Sequence, residues 1–433
     1  MSLKSDSQDW LTSGYQHIWM PYTQMKTAPL PEKVVATNGT RIILEDGREL
    51  IDGIASWWSA CHGYNHPYIK NAIASQLDIM PHVMLAGLAH EQAFVLSQRL
   101  AALSPGDLDR VFLSESGSVS VEIALKIAVQ YWLNLGQVGK NKFVAFKNGY
   151  HGDTIGTMAI GDPDNIMHGP FHGLMCEQLV IDLPTEEGAL AIFDRYLENH
   201  ANQCAAVILE PLVQGAGGMI FHDDSVVRAI RKSCDRHQVL LILDEIMVGL
   251  GRLGSMTASE LIGIQPDILT LSKSLTGGML PLAATISSAR IFDAFQSDDL
   301  EKCLMHGPTF TGNALACAAA NASLDLFEME PRLSQVHQIE SHLLQALTVC
   351  RDFPGVVDVR VRGAIGVVQL TDLGDFYWIR RRFVEKGVWL RPFGNVVYIM
   401  PAFSIDQGDL TKVTDTMIEI IGEWSDQYVG KLG

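Results

Sequence analysis

Helical patterns and short apolar runs alternate along the chain from about residue 90. The helical stretches include Glu91–Leu103 and Ser118–Leu133, and the runs between such stretches are bounded by Gly, Pro or Asn. The runs are Val111–Leu113, Phe143–Phe146, Ala205–Leu209, Leu240–Leu243, Ile268–Leu271 and Leu282–Ile286. Short β-rich runs between helices predict an α/β fold in which a mostly parallel sheet is covered by helices on both faces. The ligand of such a sheet binds at the carboxyl ends of its strands.

The pattern differs at both ends of the chain. Residues 34–52 carry Asn38-Gly39 and Asp46-Gly47 between apolar or alternating flanks, which predicts a three-stranded meander joined by primed turns. Beyond residue 313 the pattern predicts a compact α+β unit. Its predicted elements are the helices Ala314–Phe327, Ser334–Val349 and Phe376–Lys386 and the strands Gly366–Leu370, Val388–Arg391 and Val396–Met400.

These patterns divide the chain into a large and a small domain. We expect the large domain at residues 61–324 and the small domain at residues 325–433, with the segment 1–60 and its meander joining the small one. The sequence has no Pro/Ser-rich linker, internal repeat or low-complexity tract. We therefore expect the two domains to pack tightly.

Composition narrows the class of protein. The 433 residues are 47% hydrophobic and 19% charged, which is typical of a well-buried globular protein. Asp and Glu number 49 against 32 for Lys and Arg, a difference of 49 − 32 = 17, and Arg380-Arg381-Arg382 is the one short basic run. This balance argues against a nucleic-acid partner and against an anionic membrane.

The cysteines and the N-terminus point to a location in the cytoplasm. The seven cysteines are scattered and form no Cys-x-x-Cys pair, which is typical of reduced thiols. The first nine residues are polar, and no apolar stretch approaches the roughly 18 residues of a spanning helix. We therefore expect neither a signal peptide nor a membrane anchor.

An acidic residue and a lysine follow two of the apolar runs. Asp244 ends the run Leu240–Leu243 and Lys273 stands just after Ile268–Leu271, so both are expected at one crevice. A lysine amine reacts with an aldehyde, and a carboxylate beside a pyridine nitrogen keeps that ring protonated as an electron sink. The same pair also fits a structural ion pair, although burying one without a function costs free energy.

Two glycine-rich segments near this pair are weaker signals. Gly249–Gly254 fits the dinucleotide-binding pattern G-x-G-x-x-G, which makes a nicotinamide-dependent dehydrogenase a rival function. The segment lies late in the chain, however, and the acid that follows it, Asp267, is too close for the expected spacing of about 20 residues. Gly215–Gly218 is interpreted as a flexible turn.

A better candidate for binding a phosphate lies between an apolar run and a helix. Ser114–Val119 offers free backbone N–H groups, small residues and a hydroxyl, although an ordinary helix cap has the same pattern. A second small cluster, His306–Asn313, offers a hydroxyl and a flexible backbone, or is simply a turn.

Aromatic and basic residues complete the candidate chemistry. Tyr150, in the segment Asn148–Thr154 after a predicted strand, is placed to stack on a planar cofactor. Trp57 and Trp58 are adjacent, so on a strand one would face the core and the other a pocket. Arg391 is suited to a substrate carboxylate. The pairs His62/His66 and His168/His172 lack a nearby third ligand, so we expect no metal.

Together these segments resemble the class III, fold-type I pyridoxal-phosphate aminotransferases. The cofactor signature of that family is similar to Asp244-Glu245-Ile246, Gly249-x-Gly251-Arg252 and Lys273-x-x-x-Gly277-Gly278. Five further motifs are similar to one branch of the class: His17–Thr23, Ser56–Trp58, His62–Pro67, His306–Phe310 and Gly387–Gly394. The resemblance runs from about Gln16 to about Pro401 and implies the family's fold and its pyridoxal 5′-phosphate cofactor.

The resemblance implies a role for each matching position around the cofactor. Lys273 holds the cofactor covalently, Asp244 pairs with the pyridine nitrogen, and Tyr22 is the third implied catalytic residue. The other implied cofactor contacts are Gly117 and Ser118 at the phosphate and Tyr150 and Ile246 on the two ring faces. Pro308 and Thr309 reach the cofactor of the neighbouring subunit in this family, which implies a homodimer with shared active sites.

The resemblance also implies a substrate site and a reaction. The implied substrate contacts are Tyr22, Trp57, Tyr150, Lys273, Gly307 and Arg391, with Asp153, Arg252 and Tyr398 in supporting positions. Arg391 receives the acceptor's carboxylate. The branch implies a ping-pong transfer of the amino group of S-adenosylmethionine to 8-amino-7-oxononanoate, in biotin biosynthesis.

Alternatives remain open at this point. Some relatives in the branch use lysine as the amino donor, and another class III enzyme would act on a diamine, or on alanine and a ketone. Many relatives carry Gln where this chain has Met247, which argues against the ornithine and γ-aminobutyrate branches. A non-catalytic binding protein on the same fold would lack the lysine at position 273.

Overall fold

Sixteen strands are seen in the computed structural model, which describes residues 9–164 and 167–429. In chain order they are β1 (Val34–Asn38), β2 (Arg41–Leu44), β3 (Glu49–Asp52), β4 (Leu108–Ser114), β5 (Lys142–Phe146), β6 (Leu179–Ile181), β7 (Cys204–Leu209), β8 (Val213–Gln214), β9 (Ile220–Phe221), β10 (Leu240–Asp244), β11 (Ile268–Leu271), β12 (Ala283–Ser288), β13 (Val356–Arg362), β14 (Ile365–Leu370), β15 (Val388–Trp389) and β16 (Val396–Ile399).

Fourteen helices accompany these strands in the described part of the chain. They are α1 (Trp10–Tyr15), α2 (Ala55–Trp58), α3 (Pro67–Ile79), α4 (Glu91–Leu103), α5 (Gly117–Asn134), α6 (Ile155–Ala159), α7 (Ala189–His200), α8 (Asp224–His237), α9 (Ala258–Ile262), α10 (Ala289–Asp293), α11 (Ala314–Met329), α12 (Arg332–Leu347), α13 (Phe376–Glu385) and α14 (Gln407–Trp424). Single 3₁₀ turns lie at Gly169–Leu174, Lys273–Thr276, Leu300–Lys302 and Thr348–Asp352, and Ser425–Val429 is a π turn.

The central sheet has seven strands in the order β4-β12-β11-β10-β7-β5-β6. The strands β11, β10, β7, β5 and β6 pair in parallel, and β12 runs antiparallel to both of its neighbours. Every residue of β7, β10 and β11 is buried, because helices cover both faces of the sheet. The mostly parallel sheet predicted from the apolar runs is therefore confirmed, with β6 as an additional edge strand.

The N-terminal meander is also confirmed, although its second turn differs from the prediction. Strands β1, β2 and β3 pair antiparallel in order, and β3 pairs in parallel with β15. The Gly47 N–H donates to the Leu44 carbonyl, and Gly47 rather than Asp46 has a positive φ (+86°). A primed turn needs positive φ at its first central residue, so this turn is of the ordinary kind, ended by a left-handed glycine.

The C-terminal region contains two elements that the hydrophobic pattern did not predict. One is β13, in the antiparallel sheet β13-β14-β16, and the other is α14, which packs against α12 and α13 and whose buried residues include Val413, Met417 and Ile421. Helix α11 runs without a break through the predicted domain boundary at residues 324 and 325, so that boundary stays a prediction. None of the helices in the described residues is long and apolar enough to span a membrane.

The Trp57-Trp58 pair does not lie on a strand, which corrects the prediction. It ends the short helical turn α2, whose four residues all have positive φ. Trp58 is buried and Trp57 is 41% exposed, so the two rings still separate into one that faces the core and one that does not.

We predict that Gly278→Ala destabilises the protein more than Gly47→Ala does. Both glycines have a left-handed φ (+79° and +86°), which costs alanine about 1 kcal/mol or more. A Cβ at Gly278 would also lie 2.9 Å from backbone atoms of Ala60, whereas a Cβ at Gly47 meets nothing within 4 Å. Urea unfolding should show an additional loss of roughly 1–3 kcal/mol for Gly278→Ala. Equal losses would contradict the close approach.

Candidate active site

The candidate site lies at the carboxyl edge of the central sheet, where several strands end together. Asp244 ends β10, Lys273 follows β11, and Glu210 follows β7. The loop after β5 adds Tyr150, and the start of α5 adds Ser118. These five residues line one cleft, as expected for side chains at the carboxyl ends of parallel strands.

The carboxylate of Asp244 is buried and held by three donors. His151 Nδ1 donates to it at 2.7 Å, Thr270 Oγ1 at 3.2 Å and the Ile246 N–H at 3.2 Å. Burial alone would lower the pKa of His151, but the hydrogen bond and the negative charge of Asp244 raise it above its usual value. The cleft therefore contains a fixed negative charge at the end of β10.

The amine of Lys273 is placed for chemistry rather than for an ion pair. Burial lowers its pKa, although the charges of Asp244 and Glu210 oppose this shift. Among the described residues none accepts a hydrogen bond from Nζ, which lies 5.1 Å from the centre of the Trp58 ring. Lys273 also has a positive φ (+43°), which is unusual for a residue with a side chain and is a kind of strain found at active sites.

The first turn of α5 forms a cradle for an anion. This helix has 18 residues, and the Ser116 hydroxyl caps it by accepting from the Val119 N–H at 3.3 Å. A Cβ at Gly117 would lie 3.0 Å from Ile246 Cδ1, so a side chain at position 117 would crowd the cradle. The buried hydroxyl of Ser114, at the end of β4, has no hydrogen-bond partner in the part of the chain that the structure describes. Free N–H groups at the start of a long helix favour a phosphate.

Two ionisable residues of the cleft were not identified as site residues from the sequence. The Glu210 carboxylate accepts from the N–H groups of Tyr150 (3.0 Å) and Gly215 (2.8 Å), and burial raises its pKa to about 7. His151, the other one, stands beside Tyr150 in a segment that was selected for its aromatic ring. Glu210 directly follows the buried run Ala205–Leu209, and this position in the sequence could have identified it as a site residue.

The substrate side of the cleft is formed by aromatic residues and one arginine. Tyr22 Oη donates to Asp153 at 2.5 Å and lies 3.4 Å from Tyr150 Oη. The Trp57 ring is 6.0 Å from the Tyr22 ring, and the Arg391 guanidinium lies 4.7 Å from the Trp57 ring. Trp57 and Arg391 also line an adjoining cavity of about 550 Å³, which has the size of a small-molecule site.

Five further predicted site residues do not line this chain's cleft. Arg252 is fully buried, and its guanidinium donates to the carbonyls of Ala364 and Pro401. Gly307, Pro308 and Thr309 lie in the segment before α11, and the Thr309 carbonyl accepts from His82. Tyr398 is connected to the site only indirectly: its hydroxyl accepts a hydrogen bond from Trp58 Nε1 at 3.2 Å.

The segment Gly249–Gly254 performs a packing role. A Cβ at Gly251 would lie 2.9 Å from the rings of Phe327 and Phe403, so the turn packs closely against the C-terminal region. Met247, just before this turn, is buried against Gly215. Within residues 9–164 and 167–429 no three His, Cys, Asp or Glu side chains are grouped to hold a metal ion.

Comparisons with known proteins identify similar chains over almost the whole length. Residues 22–421 match the family Aminotransferase class-III. The adenosylmethionine-8-amino-7-oxononanoate aminotransferase of Buchnera aphidicola subsp. Schizaphis graminum is 41% identical over 95% of this chain and 96% of its own. The enzyme of the same name from Mycobacterium leprae is 40% identical over 94% and 95%.

Two solved structures are similar to the fold described above. The adenosylmethionine-8-amino-7-oxononanoate aminotransferase of Methanocaldococcus jannaschii has a TM-score of 0.90 at 34% identity and covers 95% of this chain and 98% of its own. A PLP-bound amine transaminase from an uncultivated Pseudomonas species has a TM-score of 0.87 at 32% identity, with 94% and 98% covered.

The cleft fits pyridoxal phosphate by its own donor set. An amine without a partner suits an aldehyde, a buried carboxylate suits a pyridinium nitrogen, and the start of a long helix suits a phosphate. Lys273, Asp244 and Gly117–Ser118 supply these three groups around one cleft. Tyr150 and Ile246 supply surfaces for the two faces of a flat ring.

We predict that His151→Asn destabilises the cofactor-free protein most below pH 6.5. Asparagine keeps a nitrogen donor near the position of Nδ1 but has no charge. Because the pKa of His151 is raised in the folded state, its stabilising protonation is complete below the unfolded value of about 6.5 and is lost as the pH rises through the raised pKa. The loss should be roughly 1.5–3 kcal/mol at low pH. Thermal unfolding between pH 5.5 and 9 measures it, and a difference that grows with pH would refute the charged pair.

Proposed function

The chain belongs to the class-III aminotransferases, and from this membership we propose that it transfers the amino group of S-adenosylmethionine to 8-amino-7-oxononanoate, giving 7,8-diaminononanoate for biotin biosynthesis. The observation that carries the catalytic part is the unpartnered Lys273 amine in one cleft with the buried carboxylate of Asp244. The choice of substrates is supported by relatives of about 40% identity that have this name and by Arg391 next to the cleft.

The family's cofactor is pyridoxal phosphate, and the cleft has a group for each of its parts. Lys273 would hold it covalently, Asp244 would pair with the ring nitrogen, and Tyr150 and Ile246 would flank the ring. Gly117 and Ser118 would receive the phosphate at the start of α5. When bound, the cofactor supplies an electron sink for the electron pair left behind when the donor's α-proton is removed.

Lys273 is the group that moves the proton. Its lowered pKa makes the neutral amine available as a base, and nothing in the described residues ties Nζ to another position. Asp244 would lie beside the ring nitrogen, where His151 and Thr270 hold its carboxylate with two side-chain hydrogen bonds. The carboxylate would then stabilise positive charge on the ring of the bound cofactor.

One pocket has to bind the two substrates in turn, as a ping-pong reaction requires. Arg391 would receive the acceptor's carboxylate, since its guanidinium has no carboxylate partner among the described side chains. Tyr22 and Trp57 lie between Arg391 and Tyr150, so an extended acyl chain would lie along aromatic surfaces. Asp153 fixes the Tyr22 hydroxyl at the inner end of this path.

The active unit in this proposal is a homodimer. Gly307, Pro308 and Thr309 do not line their own chain's cleft, although the neighbouring residues Met305 and Phe310 are 64% and 54% exposed. We propose that this segment completes the cleft of a second subunit, with Thr309 at the phosphate. The seven cysteines are free, which fits a protein of the reducing cytoplasm.

We predict that Lys273→Ala abolishes turnover. Removing the base should lower kcat by at least about 10²–10⁴-fold because the α-proton then has no acceptor of matched pKa. Steady-state assays with S-adenosylmethionine and 8-amino-7-oxononanoate measure the loss. Lys386→Ala is the matched control, since its amine pairs with Glu419 away from the cleft. Full activity in Lys273→Ala would refute the assignment.

We predict that hybrid dimers of two inactive variants regain activity. Thr309→Glu places a negative charge where the partner's phosphate would bind, and Lys273→Ala lacks the base. If Thr309 serves the neighbouring subunit, a hybrid dimer has one site with neither change. Refolding an equal mixture should then restore about one quarter of wild-type activity, since half of the dimers are hybrids with one intact site each. Activity no higher than that of the parents would show that Thr309 does not act across the interface.

A further inference from the structure

Four consecutive residues beside the cleft have left-handed backbone conformations. Ala55, Ser56, Trp57 and Trp58 have φ values of +47°, +50°, +69° and +73°, and none of them is glycine. Each such residue costs roughly 1–2 kcal/mol relative to a right-handed conformation. A turn of this kind persists only where its surroundings hold it in place, so the contacts that hold it are part of how the site is built.

The carboxylate of Asp52 is the group that holds this turn. Asp52 ends β3 and is only 2% exposed. It accepts from the Ile54 N–H at 2.9 Å, the Ser56 N–H at 2.6 Å and the Tyr64 hydroxyl at 2.6 Å. No Lys, Arg or His of the described chain forms an ion pair with it. These donors lower the pKa of Asp52, but burial outweighs them and raises it above its usual value. Two of the three are backbone groups within or next to the strained turn.

Backbone hydrogen bonds and strand pairing fix the chain next to Asp52. Gly53 donates to the Trp389 carbonyl at 3.1 Å and accepts from the Met400 N–H at 2.7 Å. β3 pairs with β15, in which Trp389 is the partner of Asp52. The carboxylate is therefore fixed by the sheet on one side and binds the turn on the other.

The turn places the indole ring of Trp57 beside Arg391 and that of Trp58 beside Lys273. The Trp57 ring packs against the guanidinium of Arg391, at 4.7 Å. The Trp58 ring lies 5.1 Å from Lys273 Nζ and is fixed by its hydrogen bond to Tyr398. Because Trp57 is partly exposed and its side chain has no hydrogen bond to the described residues, its position depends on the backbone that carries it.

We propose that Asp52 is a positioning residue that sets the enzyme's preference for a carboxylate-bearing acceptor, by holding the left-handed turn that presses Trp57 against Arg391. This inference rests on the proposed function, since the acceptor it concerns is 8-amino-7-oxononanoate. Asp52 touches neither the substrate path nor the cofactor site. Its effect passes through the backbone of Ser56 to the ring of Trp57 and then to Arg391.

The test is Asp52→Asn in the cofactor-loaded enzyme, with two acceptors. One acceptor is 8-amino-7-oxononanoate, and the other is 2-aminooctan-3-one, the same amino ketone without the carboxylate. We expect KM for the carboxylate-bearing acceptor to rise at least fivefold in Asp52→Asn, while KM for the other acceptor changes less than twofold. If Asp52 only stabilised the fold, KM would rise by a similar factor for both acceptors.

A second substitution distinguishes strain from other effects of losing the charge. Ser56→Gly lets the turn adopt its left-handed conformation without the cost of a side chain. In the double variant Asp52→Asn/Ser56→Gly we expect the ratio of the two KM values to return at least halfway to the wild-type ratio, on a logarithmic scale. Ser56→Gly alone should leave the ratio of the two KM values unchanged.

The matched control removes another buried carboxylate. Asp409 accepts from Thr40 Oγ1 and pairs with Arg41, and none of its hydrogen bonds in the described chain reaches the turn. Asp409→Asn should lower the thermal unfolding temperature without changing the ratio of the KM values. If Asp52→Asn does not fold, Tyr64→Phe removes one donor from Asp52 and is compared with and without Ser56→Gly in the same assay.

The possible outcomes separate this inference from the proposed function. A wild-type enzyme that does not aminate 8-amino-7-oxononanoate contradicts the proposed function. A wild-type enzyme that does so, with an unchanged KM ratio in Asp52→Asn, or with no recovery in the double variant, overturns the role of Asp52. A raised ratio that Ser56→Gly restores supports it.

Discussion

The hydrogen bond between His151 and the buried carboxylate of Asp244 is the interaction on which the rest of the cleft depends. Asp244 ends β10, a fully buried strand in the middle of the sheet, so a charge on its carboxylate would be costly without hydrogen-bond donors. His151 and Thr270 donate hydrogen bonds to it at a position that the sheet fixes. Lys273, one strand away, is then close enough to be affected by that charge without being paired to it. The same sheet therefore places a base and a counter-charge for a pyridine ring in one cleft.

Several residues around this pair have strained backbone conformations. Tyr22, Ala55–Trp58, Asn148 and Lys273 all have positive φ values, and all of them contact or flank the cleft. Outside this group, Asn65, Leu212, Met219, Gln238 and Leu250 also have positive φ values, and other turns use glycine for the conformation, as at Gly47. At the cleft, the surrounding packing supplies the free energy that the local backbone loses.

The sequence predicted the parts of the molecule that depend on local pattern. The runs that became β4, β5, β7, β10, β11 and β12 were visible as apolar segments, and Asp244 and Lys273 were visible because each follows such a run. The left-handed turn at Trp57 and Trp58 was not, since its conformation is set by Asp52 and by contacts with distant residues rather than by the propensities of Ser and Trp. Helix α14 and strand β13 were missed as well. Glu210 and His151 were missed as site residues because a buried Glu and His read equally well as ordinary loop residues.

The central claim is that one cleft carries out both halves of an amino transfer, and the absorption spectrum of the purified protein tests it most directly. Separate additions of S-adenosylmethionine, lysine and alanine, each followed by 8-amino-7-oxononanoate, would be monitored in the visible range. The account predicts a yellow band that bleaches with S-adenosylmethionine and returns with 8-amino-7-oxononanoate. Bleaching only with lysine or alanine would change the donor while keeping the cofactor. A protein that stays colourless after pyridoxal phosphate is added would contradict the account.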